Sequence, residues 1–219
     1  MFYTKVIKHF SDAWFNWILF FKNKKNQLNF LLLTIWLIAF VNIFELILKY
    51  SAVRKVTVKL YDPLHHYFKP IDFSVLLITL TYVPLLFGII LKIKHPYNFI
   101  KIAQSFLLLN FIRACCIYLI PLSPPTNGIN LYDPFLYYTF YFNQPIKTDL
   151  FFSGHVSNLA LMGLYIKNRM IMKIYLLIAV TVGAMLIIQQ VHYTIDVLFA
   201  PLFSWIIFYL FNKNKFLLI

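Results

Sequence analysis

Two short stretches in the last third of the chain gather the residues whose types and spacing suit chemistry: "DLFFSGHVSN" at Asp149 to Asn158 and "HYTIDV" at His192 to Val197. His192 and Asp196 are four apart, so on a helix they share one face. A carboxylate that takes the proton of one imidazole nitrogen fixes the tautomer and leaves the other nitrogen free to attack. Taken alone, the same spacing also arises from a polar pair satisfying itself between helices. Ser153, Gly154 and His155 fall where an apolar helix is expected to start. Free N–H groups at a helix N-terminus favour a phosphate. Gly154 permits close backbone approach, and Ser153 can cap the helix or donate to an oxygen. His155 is then placed to act as a general acid. The plain alternative is a cap with a satisfied histidine. Convergence of both stretches on one side of a membrane favours the chemical reading.

Further polar residues are candidates for the same place. Arg113 is an ionisable residue inside an apolar run, and such charges face a polar cavity or a partner. It either binds phosphate or pairs with Asp196 or Asp149. Asp149 is expected to cap the helix or to position His155. Asn158, three after His155, shares its face, and Tyr193 is grouped with the phosphate-binding residues. Asn42 and Glu45 read as packing polars. His9 and His95 fall away from the site, while His65 and His66 lie on its side of the membrane and either line it or, as adjacent loop histidines, are simply solvated. Cys115 and Cys116 are adjacent small packing residues and form no disulfide framework. No Cys/His spacing suggests zinc and no Gly-rich nucleotide loop appears, so neither metal nor cofactor is expected.

The elements that must position these residues are membrane helices. The 219 residues are 61% hydrophobic and 12% charged, against about half and a quarter in ordinary globular domains. An all-α, polytopic six-helix bundle is expected as one membrane-embedded domain over 1–219, with spans at 28–48, 71–91, 99–121, 150–166, 172–190 and 192–211. Phe2, Val6, Phe10, Trp14, Trp17 and Phe21 fall along one helical face within 1–26, with Lys5, Lys8 and Asn16 off it. That pattern predicts an amphipathic helix in the membrane interface. No cleavable signal is apparent, so the first span is expected to direct insertion. The proline- and aromatic-rich segment 122–148 reads as a structured lid, and 149–211 as the catalytic last three spans.

Orientation follows from Lys and Arg. With both termini cytosolic, thirteen basic residues lie inside, from Lys5 to Lys215, and six outside: Lys49, Arg54, Lys55, Lys59, Lys69 and Lys147. Five of the six crowd into 49–69, against the rule. Both histidine motifs then begin on the extracytosolic side. The net charge of +13 flanks apolar runs instead of forming a soluble basic face, which points to anionic membrane lipids and away from nucleic acid.

"TDLFFSGHVS" and "HYTIDV" resemble the two C-terminal motifs of the sphingomyelin synthase family, within the type 2 phosphatidic acid phosphatase superfamily. "RACCIYLIPLSPP", from Arg113 to Pro125, is similar to that family's arginine-then-proline segment. The resemblance implies a six-span protein with His192 as nucleophile, Asp196 as its orienting base and His155 as the acid. It implies a phospholipid donor and a lipid alcohol acceptor, or, with water as acceptor, a lipid phosphate or pyrophosphate phosphatase. A non-catalytic membrane protein that binds lipid headgroups is the third reading. Val156 stands where the pattern has Thr. Met185 and Leu186 stand where the phosphatase branch has Ser-Arg, and its Lys-x6-Arg-Pro motif is absent, which favours the synthase-like branch.

Overall fold

Asn23 separates the first two helices. Its side chain accepts from the Lys25 amide, ending α1 (Phe2–Phe21) and capping α2 (Lys24–Val53). The computed structural model describes residues 2–55, 58–140 and 147–213, with side chains from residue 8 onward. The described elements are all helical. After α2 come a single turn α3 (Pro63–Tyr67), the long helices α4 (Ser74–Lys92) and α5 (Pro96–Leu119), a short α6 (Pro134–Thr139), then α7 (Gly154–Tyr165), α8 (Arg169–Ile188) and α9 (Thr194–Lys213). Local sequence explains the starts. Pro96 occupies the first turn of α5, where its missing N–H costs nothing, and Asn168 caps α8 by accepting from Met170 and Ile171.

Among the described residues, five helices, α2, α4, α5, α8 and α9, are long and apolar enough to cross a membrane. The expected span at 150–166 differs. Its helix has 12 residues, about 18 Å at 1.5 Å per residue, short of a bilayer's hydrocarbon thickness. Nine of the 12 are buried, so α7 is a central helix wrapped by α4, α5, α8 and α9. Its first turn lies beside the start of α9, where the Ser153 amide donates to the Asp196 carbonyl at 3.1 Å. At the far end, Lys92 in the last turn of α4 donates to the Tyr165 carbonyl at 2.6 Å, a cation at the negative end of the helix dipole. Exposed Trp36, Val75, Leu86, Leu177 and Leu198 give the bundle an apolar exterior that suits lipid and not water.

The N-terminal helix packs differently from expectation. Phe10 and Trp14 are exposed, together with Phe15, Ile18 and Leu19. Trp17 turns inward and donates to the Ile93 carbonyl at 2.8 Å, and Asn16 and Asp12 join Lys94. Polar side chains of α1, together with buried Ala13 and Phe20, thus hold the α4–α5 turn, while Phe10, Trp14, Phe15, Ile18 and Leu19 point away. The side chains of Phe2, Lys5 and Val6, and Lys215, lie outside the described residues. The basic segment 49–69 gains a physical reason in part: Arg54 donates to the Ile117 and Tyr118 carbonyls at 2.5 and 2.7 Å, where a cation is favoured by the α5 dipole. Lys49 pairs with Glu45 at 2.8 Å.

Candidate active site

The chain reverses between α8 and α9 in five residues, 189–193. This turn carries His192 to the end of the bundle where α7 begins. His192 Nδ1 and Asp196 Oδ2 are 3.4 Å apart, a long contact, and the same oxygen accepts from the Tyr193 amide at 3.0 Å. The carboxylate therefore serves the first turn of α9 and one imidazole nitrogen together. Asp196 is fully buried and its Oδ1 has no hydrogen-bond partner.

His155, in the first turn of α7, has a carboxylate partner of its own. Its Nε2 donates to Asp133 Oδ2 at 2.9 Å, and Tyr82 from α4 donates to the same oxygen at 2.8 Å. Asp133 Oδ1 caps α6 through the Leu136 amide at 3.1 Å. Burial pushes the Asp133 carboxyl up, but the hydrogen bond and charge of His155, with the Leu136 and Tyr82 donors, outweigh it and hold its pKa below the ordinary carboxylate value.

Arg113 approaches from α5. It donates from Nη2 to Asp149 Oδ1 at 2.5 Å and from Nε to the Phe152 carbonyl at 2.8 Å. Of the two acidic partners open in the sequence, the structure pairs Arg113 with Asp149. Asp149 neutralises Arg113 and fixes the plane of the guanidinium. Gly154 suits that placement, because a Cβ there would crowd Arg113, 3.0 Å from Cζ and 3.1 Å from Nε.

His155, His192, Arg113, Asp133, Asp149, Gly154 and Asn158 line one cavity of about 1050 Å³. Asn158 accepts from Asn110 Nδ2 at 3.1 Å. From the histidines the cavity continues between the helices as an apolar channel, with Phe40 and Phe44 of α2, Leu85 and Ile89 of α4, and Ile102 and Phe106 of α5 in its walls. It ends near Lys92 and Phe99. Along α5, from Arg113 to Phe99, it extends about 21 Å at 1.5 Å per residue.

Two expected ligands lie elsewhere. Ser153 is fully buried, its hydroxyl has no partner, and it does not line the cavity. Tyr193 donates to the Ser123 carbonyl at 2.8 Å and is turned away from the cavity. Val156 packs in the core with Phe152 and Leu159, so the hydroxyl it lacks is not missed at the histidines. His65 is not a solvated residue: its Nε2 donates to the His192 carbonyl at 3.1 Å. Asp133, Tyr82 and Asp62 were not singled out from the sequence. One signal existed. The triplet Tyr-Asp-Pro occurs at 61–63 and again at 132–134, each Asp caps a short helix, and each spare oxygen reaches toward one histidine motif.

Residues 148–213 match the family model described as PAP2 superfamily C-terminal. The match supports membership of the type 2 phosphatidic acid phosphatase (PAP2) superfamily. The matched segment contains Asp149, His155, His192 and Asp196, while Arg113 and Asp133 come from outside it. A PAP2 domain on several long apolar helices suggests an integral, multi-pass membrane protein with a lipid phosphatase- or phosphotransferase-type function. No curated protein and no solved structure matches the chain.

Proposed function

We propose that this chain is a sphingomyelin synthase-like lipid phosphotransferase, moving a phospho-headgroup from a phospholipid to a lipid alcohol. The observation that carries the reading is the single cavity: its polar end holds both histidines and Arg113, and its remainder is an apolar channel suited to hydrocarbon. In the first step His192 Nε2 attacks phosphorus. The bond from phosphorus to the donor's lipid oxygen breaks, and His155 supplies the proton to that oxygen. In the second step the acceptor hydroxyl attacks the phosphohistidine, gives its proton to His155, and the bond to Nε2 breaks. Arg113 balances charge on the phosphoryl oxygens while Asp149 holds it in place. Such transfer rests on positioning and charge stabilisation.

Water in place of the acceptor gives the phosphatase reading, with which the PAP2 match is equally compatible. Met185 and Leu186, at the positions of the phosphatase branch's Ser-Arg pair, belong to the apolar core and do not reach the cavity. The excess of basic residues at the end away from the histidines supports cytosolic termini, an α7 that completes a sixth crossing, and a site on the extracytosolic face. The exposed apolar face of α1 suits the membrane interface beside anionic lipids.

The test is purified protein in vesicles holding a phospholipid labelled in its headgroup phosphate and an unlabelled lipid alcohol. Label on the second lipid supports transfer, and soluble labelled phosphate supports the phosphatase. A His192→Ala variant that inserts normally and keeps any lipid-dependent effect of the wild type leaves only headgroup binding.

A further inference from the structure

We propose that Asp62 and His65 form a clip that positions the His192 turn, making them further positioning residues for the transfer step. The inference rests on the reading of His192 as nucleophile. The turn 189–193 must direct His192 to the cavity and Tyr193 away from it. Gln190 takes a left-handed conformation, φ 57°, which is disfavoured for any residue carrying a Cβ. Its side chain is held from outside, donating to the His65 and Phe68 carbonyls at 3.0 Å each. Gly128 lies against the same residue; a Cβ there would sit 2.2 Å from the Gln190 carbonyl oxygen.

On the other side of His192, Asp62 accepts from the Thr194 amide at 2.6 Å and from its hydroxyl at 3.0 Å. Asp62 thereby caps α9 from a distant loop, satisfying an N–H that the helix leaves open. Burial raises the Asp62 carboxyl, yet the Thr194 donors and His65 outweigh that and keep its pKa lowered. His65 completes the clip. It donates to the carbonyl of His192 itself and stacks on the Tyr193 ring, centroids 5.6 Å apart. Gln190, His192, Tyr193 and Thr194 are each held by one short segment, and none of its described residues lines the cavity. The clip therefore acts through His192 and not on substrate. His66, the neighbouring imidazole, is exposed and has no place in it.

The experiment compares wild type, His65→Ala, His65→Gln and His66→Ala, full-length in vesicles. Three quantities are read: kcat and KM on a panel of phosphate-labelled phospholipids, melting temperature, and the rate at which diethyl pyrocarbonate acylates His192, followed by mass spectrometry. A misplaced nucleophile lowers kcat by about ten- to a hundred-fold. His65→Ala is expected to do so with KM changed less than about twofold, with melting temperature unchanged and His192 acylated faster. His65→Gln, which keeps an N–H donor, restores most of both, and His66→Ala matches wild type. Wild-type kcat and acylation in His65→Ala overturn the clip. So does a kcat loss that merely follows a lowered melting temperature and is not rescued by Gln. Should wild type turn over no phospholipid, the proposed function fails, while the acylation rates still decide the clip.

Discussion

Replacing Asp133 by Asn separates structure from chemistry at His155. Asn and Asp are equally good helix caps, so the Leu136 amide, 3.1 Å from Asp133 Oδ1, keeps an acceptor and α6 keeps its start. The charge is lost at Oδ2, which receives both His155 Nε2 at 2.9 Å and the Tyr82 hydroxyl at 2.8 Å. Hydrogen bonds to charged groups contribute about 1.5–3 kcal/mol. If that interaction orients the acid in the transition state, kcat falls by about 10- to 150-fold at 1.36 kcal/mol per tenfold. Melting temperature should fall modestly, because the same buried interaction also stabilises the fold, so kcat is read well below the transition, where the variant is fully folded. Asp133→Ala removes the cap as well and is expected to lose about a further 1 kcal/mol of stability. Turnover of phosphate-labelled lipid and thermal melting are the assays. Wild-type kcat in Asp133→Asn, or a loss matched by unfolding, refutes a part for Asp133 in the reaction.

Three further outcomes are expected. Gly154→Ala places a methyl 3.0 Å from Arg113 Cζ; overpacking of this kind costs about 1–3 kcal/mol, and both melting temperature and kcat should drop, whereas no change in either would remove Arg113 from the site. Ala103→Trp fills the channel wall between Phe99 and Phe106, so turnover should shift toward short-chain lipids, and equal loss for every chain length would argue against a hydrocarbon channel. Asp62 and Asp133 both have lowered pKa values in the fold, so their stabilisation is present above the unfolded value of about 3.9 and fades as pH falls through the lower folded values. Hydrogen-exchange protection of 58–68 and 131–139, corrected for intrinsic rates, should be flat from about pH 7 to 5 and fail below about 4; loss near pH 6 would assign control to the histidines instead.

Local spacing made part of the site legible. His192 comes just ahead of α9, whose first turn holds Asp196, and Gly154-His155 open a helix at the same end of the bundle, because short sequence spacing fixes such local neighbours. Arg113 was visible as a charge in an apolar run. Its partner was left open, since Asp149 lies 36 residues away and no periodicity links them. Asp133 was hidden for the same reason: it reaches His155 from a loop. Ser153 and Tyr193 looked like ligands by adjacency, yet each is turned away, Tyr193 toward Ser123 and Ser153 into the core. The short α7 misled by composition, since a helix buried among other helices is as apolar as one facing lipid. His65 looked solvated because a loop histidine reveals its partner only when the distant turn folds over it.

The most direct measurement follows the phosphoryl group itself. Wild-type protein in vesicles is given a phosphate-labelled phospholipid without acceptor, quenched under alkaline conditions, digested and mapped by mass spectrometry. Label on His192, absent in His192→Ala and persisting longer in His155→Ala, is the predicted result. Label on another residue, or acceptor labelling in His192→Ala at the wild-type rate, would contradict a histidine-borne transfer.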